Sequence, residues 1–257
     1  MDVLQSLLGE TAPEPRPLLF PPGAIGLIWS AKSACTTAVL WFFANAGLLE
    51  ASVGYHSWPH RYRIRELPKS DMYNRWLADG DPHAIRWVRV IRDPYARAVS
   101  SYRHALRHRY ADAVIERVLD LRASERGFSF AEYLEFLRRI DIAVCDVHYR
   151  RQWHPLEQEA SQVRIVNADR VPLLDALCRI AEPDPAAAAL MHREIARIAS
   201  FHRAQRVTVD DDCSQTVFRP AAAAGSWPDY RAFLNAATRA SIAEIYAKDF
   251  EAYADEL

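Results

Sequence analysis

The sequence predicts an α/β fold in which a central parallel sheet is flanked by helices, with a helix-rich C-terminal half. Three observations point there. Short apolar runs of strand length alternate with segments of helical periodicity. One run opens into a loop of small residues that leads straight into a helix. Another ends in Arg92-Asp93-Pro94, a strand end joined to a strong helix start.

Residues 1–24 carry Pro13, Pro15, Pro17, Pro21 and Pro22 and are expected to form an extended, proline-rich lead-in. A single domain is expected over residues 25–257. Apolar runs predict strands at Ile25–Trp29, Ala51–Tyr55, Ile85–Ile91 and Val163–Val166. Helical periodicity predicts Thr37–Ala46, with Gly47 as its C-terminal stop, because glycine takes a left-handed φ without a Cβ clash. Further helices are predicted at Tyr95–His108, Asp112–Arg122, Phe130–Arg139, Pro172–Ile180, Ala187–Ile198 and Trp227–Phe250. The alanine run Ala221–Ala224 reads as a loop ending at Gly225.

Composition narrows the partners. Half of the 257 residues are hydrophobic and a quarter are charged, as in ordinary globular chains. A net charge of -1 gives no long-range pull toward nucleic acid or an anionic membrane, so any anion site must be local. The first residues, Met1-Asp2-Val3-Leu4-Gln5, lack a basic segment, and no apolar run reaches the roughly eighteen residues of a membrane span. The four cysteines, Cys35, Cys145, Cys178 and Cys213, are scattered without a CxxC pair, which suggests reduced thiols and a cytoplasmic setting.

The first chemical motif runs from Gly26 to Thr37, GLIWSAKSACTT. A strand, a loop of small residues and a helix follow in order. Small side chains let backbone N–H groups close around an anion, and the helix aims its positive end at the same point. Lys32 adds a cation, and Thr36 and Thr37 add hydroxyls. The competing interpretation is a plain helix capped by Ser33 or Thr36, with Lys32 solvated. A Walker A frame, Gly26 to Ser33 with Ala31 in place of the second glycine, fits poorly, because the apolar strand would lie inside the loop.

The second motif is the strand Ile85–Ile91 running into Arg92-Asp93-Pro94-Tyr95-Ala96-Arg97-Ala98-Val99-Ser100-Ser101-Tyr102-Arg103. Asp93 suits an N-cap and Pro94 the first helical turn. Arg92 then sits at a strand end. An arginine with a serine hydroxyl, Ser100, makes a receptor for a terminal phosphate. A capped helix with solvated arginines is the bland alternative.

Together the two motifs resemble the sulfotransferases that use 3′-phosphoadenosine-5′-phosphosulfate (PAPS), and in flavour their carbohydrate branch. The family's 5′-phosphosulfate loop, PKxGCTxW or PKSGTTW, is met at Ala31-Lys32-Ser33-Ala34-Cys35-Thr36-Thr37. Its RDPxxRxxSxYR motif is met at Arg92, Asp93, Pro94, Arg97, Ser100, Tyr102 and Arg103. Weaker likenesses are Thr216-Val217-Phe218-Arg219 before Gly225-Ser226-Trp227, similar to an FRKGxxGDW region, and Asp146-Val147-His148-Tyr149 with Gln152, similar to a DxHWxPQ segment. The chain departs at Ala31, usually proline, and Ala34, usually glycine; Pro220 and Ala221 replace the FRKG lysine and glycine. A positive φ at Ala34 would be strained.

The resemblance implies a P-loop-like three-layer fold and transfer of a sulfonate from PAPS to a hydroxyl, with 3′,5′-adenosine bisphosphate (PAP) as product and no metal. Lys32 would hold the bridging oxygen of the leaving phosphate. Backbone N–H groups of Ser33, Ala34, Cys35, Thr36 and Thr37 would hold the 5′-phosphate. Arg92, Ser100 and Arg219 would grip the 3′-phosphate. For the general base, His60 is favoured, beside the aromatics Trp58 and Tyr62, and His56 runs close behind; Glu66 and His148 are outsiders. The acceptor is a small molecule or a glycan, and a carbohydrate fits the branch. The i,i+4 pairs His56/His60 and His104/His108 lack a third and fourth metal ligand at suitable spacing. Two other functions compete: a P-loop-like kinase or hydrolase using ATP and Mg²⁺, which needs a carboxylate at a neighbouring strand end, and a non-catalytic nucleotide-binding module.

Overall fold

The elements run in chain order as β1 (Leu18–Leu19), β2 (Ile25–Ile28), α1 (Cys35–Asn45), α2 (Leu49–Tyr55), α3 (Pro59–Arg65), α4 (Asp71–Asp79), β3 (Arg86–Ile91), α5 (Pro94–His108), α6 (Asp112–Leu119), α7 (Ala123–Arg126), α8 (Phe130–Arg138), α9 (Leu156–Glu159), β4 (Val163–Asn167), α10 (Leu173–Cys178), α11 (Pro185–His202), β5 (Arg206–Val207), β6 (Trp227–Pro228), α12 (Ala236–Ile245) and α13 (Ala247–Ala252). They come from a computed structural model that describes residues 15–19, 25–79, 84–202 and 206–257. The described chain divides into two compact units. One holds the residues up to Arg92 with Gln152–His202 and Glu256; the other holds Asp93–Arg151, 206–255 and Leu257.

The first unit is mixed α/β. Its sheet has the order β1-β2-β3-β4, with β2, β3 and β4 parallel and β1 an antiparallel edge. The expected sheet was wholly parallel; the antiparallel edge comes from Leu18–Leu19, inside the stretch read as a lead-in. Residues 1–14 and 20–24 of that stretch lie outside the described residues. Leu27, Ile28, Val88 and Val90 are buried, as the inner strands of a covered sheet should be. Gly26 is fixed by packing: a Cβ there would fall inside the indole of Trp87. Helix α1 is buried along Ala38–Ala44, including Trp41, Phe42 and Phe43, and α10 and α11 pack against it. An almost wholly apolar helix has no solvent face to keep, so it belongs in a core. It stops at Gly47, whose φ is 68°, as predicted.

Residues Ala51–Tyr55, expected as a strand, belong to α2. The buried positions there are Leu49 and Ser52, spaced by three as on a helix face, and Glu50 and Ala51 stay exposed. Removing that strand makes β2 and β3 direct neighbours, in the register Ile25↔Arg86 to Ile28↔Arg89.

The second unit is built around aromatic rings. Tyr102, Phe128, Phe130, Tyr133, Trp227 and Phe233 form its buried centre. The expected helix Trp227–Phe250 is broken. Trp227–Pro228 pair in parallel with Arg206–Val207, a 3₁₀ turn covers Tyr230–Phe233, and α12 starts only at Ala236. Pro228 forces its predecessor to be extended. Asn235 supplies the true start: its side chain accepts from the Thr238 N–H while Thr238 returns the bond. The helix predicted at Asp112–Arg122 ends at Leu119, where Asp120 turns left-handed at φ 52°. No helix among the described residues is long and apolar enough to cross a membrane.

Candidate functional site

The strand–loop–helix of the first motif forms as predicted, and its backbone is unusual. β2 ends at Ile28, Trp29 and Ser30 stay buried, a turn covers Ala31–Ala34, and α1 begins at Cys35. The strand thus occupies Gly26–Ile28, which rules out a Walker A loop opening at Gly26. Two non-glycine residues of the turn have left-handed φ, Lys32 at 68° and Ala34 at 53°. Such conformations cost about 1–2 kcal/mol each for a residue with a Cβ. Strain of this kind persists where surrounding contacts enforce it, and it clusters at working sites. Ala34 is the N-cap of α1 and gives no side-chain cap. Neither Ser33 nor Thr36 caps the helix, so the plain capped helix is not what forms. The first residues of α1, Cys35, Thr36 and Thr37, are half-buried, and the N–H groups of a helix start can receive an anion.

What enforces the loop is a buried polar network within the same unit. The Ser33 hydroxyl donates to Gln152 Oε1 at 2.8 Å. The Arg92 backbone N–H donates to that same oxygen at 2.9 Å, and Gln152 Nε2 returns a bond to the Arg92 carbonyl at 2.8 Å. One amide therefore ties the loop to the end of β3. Beneath it, Arg89 donates to the Ser30 hydroxyl at 2.8 Å and to the Gln152 carbonyl, and pairs with Glu157 at 3.1 Å. Arg89 is fully buried and Glu157 nearly so. A buried charge pair is tolerated only where further bonds accompany it, and Arg89 makes such bonds to Ser30 and Gln152.

Arg92 itself is partly exposed at this edge. Its Nε donates to both carboxylate oxygens of Asp169, at 3.2 and 3.3 Å, and its Nη1 donates to the Lys32 carbonyl at 3.4 Å. Asp169 lies just beyond β4. The ends of three parallel strands thus deliver the Ser30–Ala34 loop, Arg92 and Asp169 to one place. Ligands of open parallel sheets bind at that end.

The remaining motif residues belong to the second unit, and most are structural. Asp93 Oδ1 accepts from the Ala96 N–H at 3.0 Å, capping α5 as expected. Arg97 is buried and donates to the Arg150 carbonyl at 2.6 Å. The buried Tyr102 hydroxyl donates to the Phe128 carbonyl at 2.7 Å. Arg103 donates to the Ala223 carbonyl at 3.1 and 3.2 Å, which brings the segment after Arg219 against α5, the helix of Ser100. Ser100 is half-buried and Arg219 exposed.

The two favoured histidines lie in the first unit, in different settings. His56 is exposed, and its Nδ1 accepts the Trp58 N–H at 2.9 Å. His60 is buried, with ring centroids 5.4 Å from Trp29 and 5.5 Å from Trp58, and its Nδ1 faces Arg63 Nε at 3.4 Å. In both, the Nδ1 lone pair is already engaged. In the second unit His148 is oriented by a carboxylate: its Nδ1 is 2.8 Å from Asp146 Oδ1. Burial works against the Asp146 charge, but bonds from the His148 ring and backbone N–H outweigh it and hold the carboxyl below the usual range. Nearby, burial pushes the Cys145 thiol up to about 12, the setting of an unreactive thiol. The His104 ring lies tilted against those of His108 and His148, at centroid distances of 4.3 and 4.4 Å. Among the described residues no group of three or more His, Cys, Asp or Glu is placed to hold a metal ion.

Local sequence gave no sign of Asp169, Arg89 or Glu157. Gln152 stands out in the sequence only through its likeness to a DxHWxPQ segment; its reach to Ser33 spans 119 residues, beyond any local pattern. No family model, no curated protein and no solved structure matches the chain.

Proposed function

We propose that this protein is a sulfotransferase of P-loop-like, three-layer type, moving a sulfonate group from PAPS to a hydroxyl of an acceptor, with a carbohydrate as the favoured acceptor class. One observation carries the proposal: Lys32 and Ala34 adopt left-handed backbone at the uncapped start of α1. That conformation supports an anion-binding turn. The 5′-phosphate would rest on the N–H groups from Ser33 to Thr37. Arg92, next to the loop, would read the 3′-phosphate.

Lys32 would neutralise charge on the bridging oxygen as the bond from sulfur to that oxygen breaks. The acceptor oxygen forms the new bond to sulfur, and its proton passes to a base, for which His60 and His56 stand as candidates. Catalysis of this kind rests on positioning and charge stabilisation. The ATP–Mg²⁺ alternative requires a free carboxylate at a strand end. Asp169 has that position, but its carboxylate is engaged by Arg92, which favours the sulfonate reading.

The test is Lys32→Ala. Its contact strengthens chiefly in the transition state, so kcat should fall by about a hundredfold or more while PAPS affinity stays within a few-fold. Equal loss of both would remove Lys32 from the chemistry.

A further inference from the structure

Arg92 does not stand alone at the strand end. Asp169 grips only the Nε edge of the guanidinium, through both carboxylate oxygens, while the Lys32 carbonyl takes Nη1. These contacts constrain the plane of the fork through Nε and Nη1, and none of them uses Nη2. Asp169 is itself held on rigid backbone. The ladder between β3 and β4 continues one residue beyond β4, with Ala168 N–H donating to the Ile91 carbonyl at 2.9 Å. The Asp169 N–H then donates to Asn167 Oδ1 at 2.9 Å, and Asn167 Nδ2 donates to the Glu256 carbonyl at 2.7 Å. A turn closes behind it, with the Arg170 N–H on the Asn167 carbonyl at 3.1 Å.

An arginine side chain on a surface loses much rotamer freedom when it binds an anion, and a planar fork recognises phosphate only in the right orientation. A carboxylate on the Nε edge removes that freedom in advance and leaves the Nη edge for the ligand. We propose that Asp169 is a specificity-determining positioning residue: by clamping Arg92 through Nε, it presents the remaining Nη donors to a terminal phosphate beside the Lys32 loop. The inference rests on the donor-site reading above, and adds that discrimination for a 3′-phosphate depends on an acid outside both sequence motifs.

The experiment is calorimetric titration of the wild type, Asp169→Ala and Asp169→Asn with 3′,5′-adenosine bisphosphate and with 5′-AMP. In Asp169→Ala the preference for the bisphosphate should fall about tenfold, the scale of one charge-assisted bond, with 5′-AMP affinity within twofold. Asp169→Asn should keep most of the preference, because its amide oxygen still accepts from Nε. An unchanged or increased preference in Asp169→Ala would overturn the proposal, since the carboxylate would then be idle or a competitor. Equal loss for both ligands would also overturn it, as a purely structural role. The Arg92 Nε–H NMR signal, followed during titration with inorganic phosphate, separates the two claims. A shift in the wild type that is lost in Asp169→Ala upholds the clamp even where the nucleotide preference is absent and the donor reading fails. No shift in the wild type overturns the clamp.

Discussion

Left-handed backbone at Lys32 and Ala34 is a local cost that the fold sustains, and Ser33 shows how. Its hydroxyl is locked to Gln152 at 2.8 Å between the two strained positions, so the turn cannot relax without breaking a buried bond. Replacing Ala34 with glycine keeps that bond and removes the Cβ clash. Ala34→Gly should therefore stabilise the chain by roughly 0.5–1 kcal/mol after the entropy of glycine is subtracted, seen as a higher urea midpoint at unchanged slope. A lower midpoint would mean that Ala34 is not strained. Part of this was legible in the sequence. Glycine is usual at the position of Ala34 in the loops it resembles, and the Ala34 φ of 53° is the left-handed value that favours glycine. Lys32 gave no such sign, since its neighbours Ala31 and Ser33 fit many turns. Gln152 and Asp169 act through tertiary contacts that no local pattern encodes.

Among elements, strength of local signal decided what could be read. α1 and α5 carry long helical periodicity, a glycine stop in one case and an Asp-Pro start in the other, and both form close to the expected bounds. The run Ala51–Tyr55 is too short to separate strand from helix, and the packing of Leu49 and Ser52 settles it as helix. The stretch after Trp227 reads as one helix because its apolar spacing continues through Pro228, while the cap at Asn235 marks the real beginning. What joins β3 to α9 is a buried ion pair, Arg89 with Glu157. Glu157→Gln leaves the Arg89 guanidinium buried without its countercharge and should destabilise by about 3 kcal/mol, read from equilibrium urea unfolding. An effect below roughly 0.5 kcal/mol, the range of ordinary surface changes, would show that the pair is solvated and does not brace the loop.

In the whole molecule, three parallel strands end together, and the residues beyond them form the candidate site. The alternation of apolar runs and helices foretold strands feeding helices, with the Lys32 loop and Arg92 each at a strand end. It could not foretell the antiparallel edge at Leu18–Leu19 or the division into two compact units, which depend on contacts between distant segments. The central claim concerns the donor. Its most direct test is calorimetric titration of the intact protein with 3′,5′-adenosine bisphosphate, alongside 5′-AMP and ATP–Mg²⁺. The account predicts tight binding of the bisphosphate that is lost when the 3′-phosphate is removed. A preference for ATP–Mg²⁺, or no binding of any of the three, would contradict it.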